Sequence, residues 1–198
     1  MGPTDEELVE AFRGGDLAAF DVLVRRWDRK IRGAIHRILG SEDDARDLSQ
    51  ETFLKAYRAL GTFKGEARFS SWLYQIALNL CRDRMRRRKG KTLVSLGELE
   101  EDGMGLVSGP GRPTALDLVE AGDLARAVAA AVAALPEEQR EIIVLKEYQE
   151  LTFVEIADVL GVPLSTVKTR LYRGLGQLRV DLERQGIRRA APVPAALS

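Results

Sequence analysis

The 198-residue chain is poor in the residues that most enzyme chemistry uses. It has one cysteine, Cys81, so no intrachain disulfide framework can form, and a lone thiol fits a reducing compartment. One histidine, His36, beside that cysteine leaves almost nothing for a Cys/His zinc site. No apolar run approaches the roughly 20 residues needed to span a bilayer. The opening MGPTDEELVEAF is acidic where a secretory signal would be basic and then apolar. The expectation is a cytoplasmic chain without membrane insertion, metal or cofactor. Net charge is missing too: 30 Lys and Arg face 30 Asp and Glu. Taken alone, that balance argues against a general nucleic-acid coating protein.

What is present is charge of both signs, sorted along the chain. Arg82 to Lys91 reads RDRMRRRKGK, seven cations against one acid, and residues 164–189 hold seven more against Asp181 and Glu183. The acids gather in DEE near the start, in EDDARD at 42–47, in ELEED at 98–102 and in PEEQRE at 136–141. Two basic patches in a neutral chain point to two separate contacts with a polyanion. Between them, Gly97, Gly103, Gly105, Gly109, Pro110, Gly111 and Pro113 break helical periodicity. The expected organisation is a unit over 1–90, an acidic flexible linker over 91–116, a second unit over 117–186 and a frayed tail over 187–198.

Both units read as helical. Thr4 and Glu7 form a capping-box pattern. Phe20, Val24, Trp27, Ile31, Ile35 and Ile38 recur at helical spacing, Gly40-Ser41 ends that stripe, and Ala45, Leu48, Thr52, Ala56 and Leu60 carry the next. Ser70 or Ser71 is expected to cap a helix that buries Leu73, Ile76, Ala77 and Leu80. In the second unit, 117–135 and 136–147 are expected to supply two helices. No sustained period-two alternation occurs, so strands are not expected and the fold class is all-α with two small helical domains.

Residues 151–182, LTFVEIADVLGVPLSTVKTRLYRGLGQLRVDL, are the most informative. Thr152 and Glu155 make a second capping box, a short helix runs to Leu160, Gly161 turns the chain, and Pro163 with Ser165 opens a longer basic helix. That order is the helix-turn-helix pattern. Val167, Leu171, Leu175, Leu178 and Leu182 form one stripe. Ser165, Thr169, Arg173 and Gly176 lie opposite, with Lys168 and Arg170 on the flanks. Hydroxyls and cations on the leading half of such a helix suit base edges and phosphates of a major groove. A solvated basic helix face is the bland alternative, and the capped helix and Gly turn upstream weigh against it.

The first unit carries a second signal. DARDLSQETFLKAYRAL sets Asp47, Gln50 and Glu51 beside Leu48 and Phe53. An exposed apolar residue among fixed acids makes a docking surface for a basic protein partner; a merely solvated acidic helix fits about as well. Downstream, Phe63, Lys64, Phe69, Trp72 and Tyr74 precede an arginine run that includes Arg82, Arg84, Arg86 and Arg87. Aromatic platforms beside cations suit unstacked bases on a single strand, although some of these rings must be core.

GDLAAFDVLVRRW, DARDLSQETFLKAYRAL and FSSWLYQIALNLCRDRMRR together resemble region 2 of the extracytoplasmic-function sigma factors. ALPEEQREIIVLKEYQELTFVEIADVLGVPLSTVKTRLYRG is similar to their region 4. The resemblance implies an alternative sigma factor that binds core RNA polymerase. Region 2 would meet the beta-prime clamp helices through Asp47, Leu48, Gln50, Glu51 and Phe53. It would melt the minus-ten element, holding a flipped base in the loop at 62–69 with Asn79, Arg82 and Arg84 close by. Region 4 would read the duplex minus-thirty-five element through Lys168, Thr169 and Arg173, helped by Thr152, Ser165, Thr166 and Arg170, and would touch the beta flap. The linker acids Glu98, Glu100, Glu101 and Asp102 would enter the nucleic-acid channel of the polymerase. Relatives of this kind are held inactive by an anti-sigma factor, so such a partner is implied as well.

A stand-alone helix-turn-helix regulator is the rival reading, but it leaves the aromatic-and-arginine segment and the DLSQETF face without a purpose. A nucleic-acid enzyme is weaker still. No Gly-rich phosphate loop or metal-ligand spacing is present, and His36, among Arg and Ile, reads as structural. Cys81 beside Leu80 reads as a packed core thiol with no second cysteine to resolve an oxidised form.

Overall fold

The computed structural model describes residues 2–63, 65, 67–97 and 121–187. Among them are eight α-helices and no strand: α1 (Asp5–Arg13), α2 (Ala18–Leu39), α3 (Glu42–Leu60), α4 (Phe69–Gly97), α5 (Ala121–Ala134), α6 (Glu137–Ile143), α7 (Phe153–Leu160) and α8 (Leu164–Arg184). A π turn, Val144–Tyr148, carries α6 onward.

Local chemistry explains the ends of these helices. The Thr4 hydroxyl accepts the Glu7 amide at 3.2 Å while the Glu7 carboxylate accepts the Thr4 amide at 2.7 Å, so both halves of the first capping box form. Gly40 closes α2 in the left-handed conformation (φ 69°), and the Ser41 hydroxyl accepts the Asp44 amide to open α3. The expected cap of α4 is displaced. That helix begins at Phe69, its first bond runs from the Trp72 amide to the Arg68 carbonyl, and Ser70 and Ser71 lie inside its first turn. Phe69 is fully buried, and packing its ring winds the helix earlier than the serines predict. At its other end α4 continues to Gly97, seven residues into the expected linker. Gly90 costs only about 1 kcal/mol in a helix interior, and no proline intervenes before Gly97. The rest of that linker with its four acids, the start of the expected helix at 117–120, Lys64, and the tail from 188 lie outside the described residues.

Helices α1 to α4 enclose one core, built from Leu23, Ile31, Ile35, Ile38, Leu48, Leu60, Leu73, Leu78 and Cys81. Ala45, Leu48, Thr52, Ala56 and Leu60 of the α3 stripe are all buried. The Thr52 hydroxyl is satisfied by donating to the Leu48 carbonyl at 2.6 Å. Cys81 is inert by placement: burial, with the nearby Glu141 carboxylate, pushes its thiol up to about 12. Helices α5 to α8 bury Leu135, Ile142, Ile143, Ile156, Val167 and Leu171, which continue the same apolar cluster. The two sets of helices are in contact, with α2 against α5 and the π turn, and α4 against α7.

The turn between α7 and α8 depends on backbone conformation. Gly161 sits at φ 65°, where an L side chain is strained, although no atom lies within 4 Å of where a Cβ would go. Gly176 has equally open surroundings but ordinary helical backbone inside α8. Identical substitutions should therefore act in opposite directions. Gly161→Ala is expected to destabilise the protein by about 1–2 kcal/mol and Gly176→Ala to stabilise it by up to about 1 kcal/mol, both read by urea unfolding followed by circular dichroism.

Candidate polymerase and nucleic-acid interfaces

Helix α3 presents its acidic and amide groups outward. Asp47, Gln50 and Glu51 are exposed, as expected. Leu48 and Phe53 are not: only 2% and 7% of their surfaces reach solvent, because the core stripe of α3 includes them. The apolar side chain exposed among those acids is Leu54, with Tyr57 beyond it. Leu54 lies seven residues after Asp47, two helical turns along the same face, and that spacing was the signal available in the sequence. Lys55 pairs with Glu51 at 3.4 Å on the same surface.

Along α4 the residues expected at the promoter strand separate into three groups. Phe69 and Tyr74 are core residues with 0% and 1% exposure. Tyr74 packs edge-on against Trp27, and burial raises its phenol above the ordinary value. Phe63 and Trp72 keep part of their rings at the surface, 4.9 Å apart, backed by Phe69. At 100° per residue, Trp72, Asn79 and Arg86 fall on one face of α4, with Arg82 on its edge. Asn79, Arg82, Asp83 and Arg86 line a polar cleft of about 560 Å³, with Glu137 of α6 across it. This face extends about 20 Å from Trp72 to Arg86, with Asn79 about 10 Å along α4 from Trp72, against which Phe63 of the loop packs. Arg84 is turned some 140° from Asn79. It pairs with Asp44, which also holds Arg88. Arg87 is exposed, about 80° from Asn79.

Arg82 is engaged as well. Its Nε and Nη2 donate to the two oxygens of Glu141 at 2.8 and 2.6 Å. Glu141 is only 3% exposed. Burial pushes its carboxyl up against the pull of the Arg82 guanidinium, and the hydrogen bond to Glu141 raises Arg82 in turn. Neighbouring contacts join the same two halves. Tyr74 donates its hydroxyl to Gln149 at 2.6 Å, and Arg68 pairs with Glu155 at 2.8 Å. Arg140 donates to the Ile38 carbonyl at 2.6 Å and to that of Leu135 at 2.8 Å. Charge clustering in the sequence located the arginines but not their partners in the other half, which are tens of residues away.

The helix-turn-helix is built as expected. The Thr152 hydroxyl accepts the Glu155 amide at 3.2 Å, and the Glu155 carboxylate accepts the Thr152 amide at 2.8 Å. That cap occupies the Thr152 hydroxyl, which also donates to Glu155. On α8, Ser165, Lys168, Thr169, Arg173 and Gly176 are exposed, whereas Thr166 is half-buried. The Thr169 hydroxyl donates to the Ser165 carbonyl at 2.9 Å. Arg170 is turned aside onto Glu138 at 2.7 Å. Tyr172, seven residues after Ser165, is 41% exposed near the middle of this face, although neither its charge nor its size marks it in the sequence as a groove-facing residue.

Sigma-70 region 2 matches residues 23–91 as a family model, and Sigma-70 region 4 matches residues 125–178. The chain belongs to the extracytoplasmic-function sigma factors. It is 35% identical over 176 residues to the RNA polymerase sigma-H factor of Pseudomonas aeruginosa, covering 85% of this chain and 89% of that one. To the ECF sigma factor SigW of Bacillus subtilis it is 34% identical, covering 88% and 94%. Among solved structures it resembles CnrH in complex with the cytosolic domain of CnrY (TM-score 0.68, 28% identity, 91% and 97% covered). The fold is also that of RpoE of Bartonella quintana (TM-score 0.65, 24% identity, 83% and 96% covered). The sigma factor is therefore an alternative promoter-specificity subunit of RNA polymerase, in a family of DNA-binding regulators. A stand-alone regulator would not account for the region 2 match. No helix among the described residues is long and apolar enough to cross a membrane.

Glu155 gives this site a measurable pH signature. Burial works to raise its carboxyl, but the Thr152 amide and hydroxyl and the Arg68 guanidinium outweigh it and hold the group below its ordinary value near 4.5. A depressed carboxylate adds stability above its unfolded value and loses it as pH falls through the folded one. Glu155→Gln keeps an acceptor for the cap but has no charge to lose. Its melting temperature is expected to fall less than that of wild type as the pH is lowered below about 4.5, measured by calorimetry at matched ionic strength.

Proposed function

We propose that the two regions divide the promoter between them along the faces just described. The α3 surface of Asp47, Gln50, Glu51 and Leu54 docks on the beta-prime clamp helices, with Leu48 and Phe53 holding that surface from beneath. The Trp72–Asn79–Arg86 face of α4, with Phe63 and Arg82, takes the separated non-template strand of the minus-ten element. Arg84 and Arg87 flank that track. Ser165, Lys168, Thr169, Tyr172 and Arg173 of α8 enter the major groove of the minus-thirty-five element. Thr152, Thr166 and Arg170 support them, and region 4 also touches the beta flap. The observation that carries the reading is the segregation of exposed groups by type: acids and an apolar residue on α3, rings and cations on α4, hydroxyls and cations on α8.

The protein performs no covalent chemistry of its own and works in the cytoplasm, at the nucleoid when in holoenzyme. An anti-sigma factor is its proposed regulator, in line with CnrH, whose structure holds the cytosolic domain of a second protein. Run-off transcription with core polymerase on genomic fragments tests the function, and a chain that never redirects initiation would refute it. Within an active holoenzyme the two DNA roles should separate. Arg173→Ala should weaken duplex binding by about 1–3 kcal/mol if it reads a base. Asn79→Ala should leave duplex binding by region 4 intact while lowering permanganate reactivity of the opened strand. Equal loss of duplex binding by both variants would contradict the division.

A further inference from the structure

Where α2 meets α5, the side chains leave a space that they do not fill. A cavity of about 580 Å³ lies there, walled by Val128, Ala129, Val132 and Ala133 of α5, by the end of α2 and by Tyr148 of the π turn. Its volume is within the roughly 300–1,000 Å³ of small-molecule sites. The α5 wall is shallow because it is built of alanine and valine, and larger side chains would have closed the gap. The only ring against it, Tyr148, already carries the Arg37 guanidinium 4.3 Å from its centre. Short aliphatic side chains without a free aromatic face suit a flexible alkyl chain better than a planar ring system.

The charge around this cavity has one sign. His36, Arg37 and Arg126 line it, and among the described residues no carboxylate does. Elsewhere Arg68, Arg82, Arg84 and Arg170 each lie on an acid. Arg37 is held by uncharged partners instead: its Nη1 donates to the Gly33 carbonyl at 3.0 Å while the guanidinium rests on Tyr148. Its place is therefore set and its charge is not compensated. The carbonyl end of α2 also reaches this wall, where a helix dipole disfavours an anion. Two of its carbonyls are already taken, that of His36 by the Gly40 amide at 2.8 Å and that of Ile38 by Arg140 at 2.6 Å. We propose that the cavity binds a small amphipathic anion, an aliphatic monocarboxylate, with its chain along the Val128–Ala133 wall and its head on Arg37. A guanidinium recognises a carboxylate through paired donors. The ligand would touch α2, α5 and the π turn at once, so its occupancy stabilises the folded chain.

The test is a calorimetric titration of the full-length chain with decanoate, and with decanol as the uncharged control. Saturable binding at one site is expected, about tenfold tighter for decanoate than for decanol, the margin of a charge-assisted hydrogen bond. Two substitutions at exposed positions separate head from chain. Arg37→Gln should erase the preference for decanoate and leave decanol binding in place. Ala129→Phe, which sets a ring into the cavity, should abolish binding of both. Absence of saturable decanoate binding would overturn the proposal, as would equal affinity for the two ligands in the unaltered chain. Binding that survives Ala129→Phe would overturn it too, because it would be adsorption elsewhere on the surface. Should Arg37→Gln lose its helical circular dichroism, Ala129→Phe decides alone by the same criterion. None of these side chains belongs to the faces assigned to polymerase or promoter. Ligand binding and run-off activity can therefore fail separately, and both variants are expected to keep run-off activity.

Discussion

A carboxylate that is nine-tenths or more removed from water must have a cation, and for Glu141 that cation is Arg82. The requirement fixes how the two halves of the chain meet. The buried apolar residues of α1–α4 and α5–α8 form one continuous cluster, so apolar contact also holds the halves together. Hydrophobic burial is non-directional and would accept many ways of stacking one bundle on the other. A two-armed guanidinium on a carboxylate accepts few. Once that pair is set, the Tyr74 hydroxyl meets Gln149 and Arg140 reaches the carbonyl end of α2.

Most of the fold was legible because it rests on local rules. Helical spacing placed Ala45, Leu48, Thr52, Ala56 and Leu60 on the buried side of α3, and both Thr–x–x–Glu boxes opened the helices they announce. The sites were legible by segment more than by residue. Leu48 and Phe53 stand beside the acids in sequence but belong to the core stripe, so the exposed apolar contribution passes to Leu54. Phe69 and Tyr74 belong to an aromatic-rich run, and burial took those two while leaving Trp72 partly outside. Composition says that rings and cations occur together; only the angular position around α4 says which of them share a face. The contacts of Arg82, Arg68 and Tyr74 were beyond any local rule. Their partners lie 59, 87 and 75 residues away, and no periodicity spans such a separation.

The formal neutrality of the chain takes on a different meaning in this arrangement. Its balance is struck within small neighbourhoods as well as over the whole length. Glu138 sits on Arg170 at the side of the recognition helix, and Glu155 and Glu141 sit on cations of region 2. The groups on the outward face of α8 (Ser165, Lys168, Thr169, Tyr172 and Arg173) remain open to solvent. Cations that would grip any polyanion are reduced in number, while those that face a groove are left in place.

Asp44 takes that reduction one step further, because its pairs lie wholly within region 2. Arg84 and Arg88 hold its buried carboxylate across the packing of α3 on α4. Two of the seven cations between Arg82 and Lys91 are thereby matched to a fixed internal anion. A protein gains nonspecific affinity for DNA by displacing condensed counterions, roughly one for each phosphate it neutralises. A basic run that brings its own counter-charge displaces fewer of them. Its hold on arbitrary DNA is correspondingly weaker and less steeply dependent on salt, and a larger share of whatever affinity it has must come from the bases.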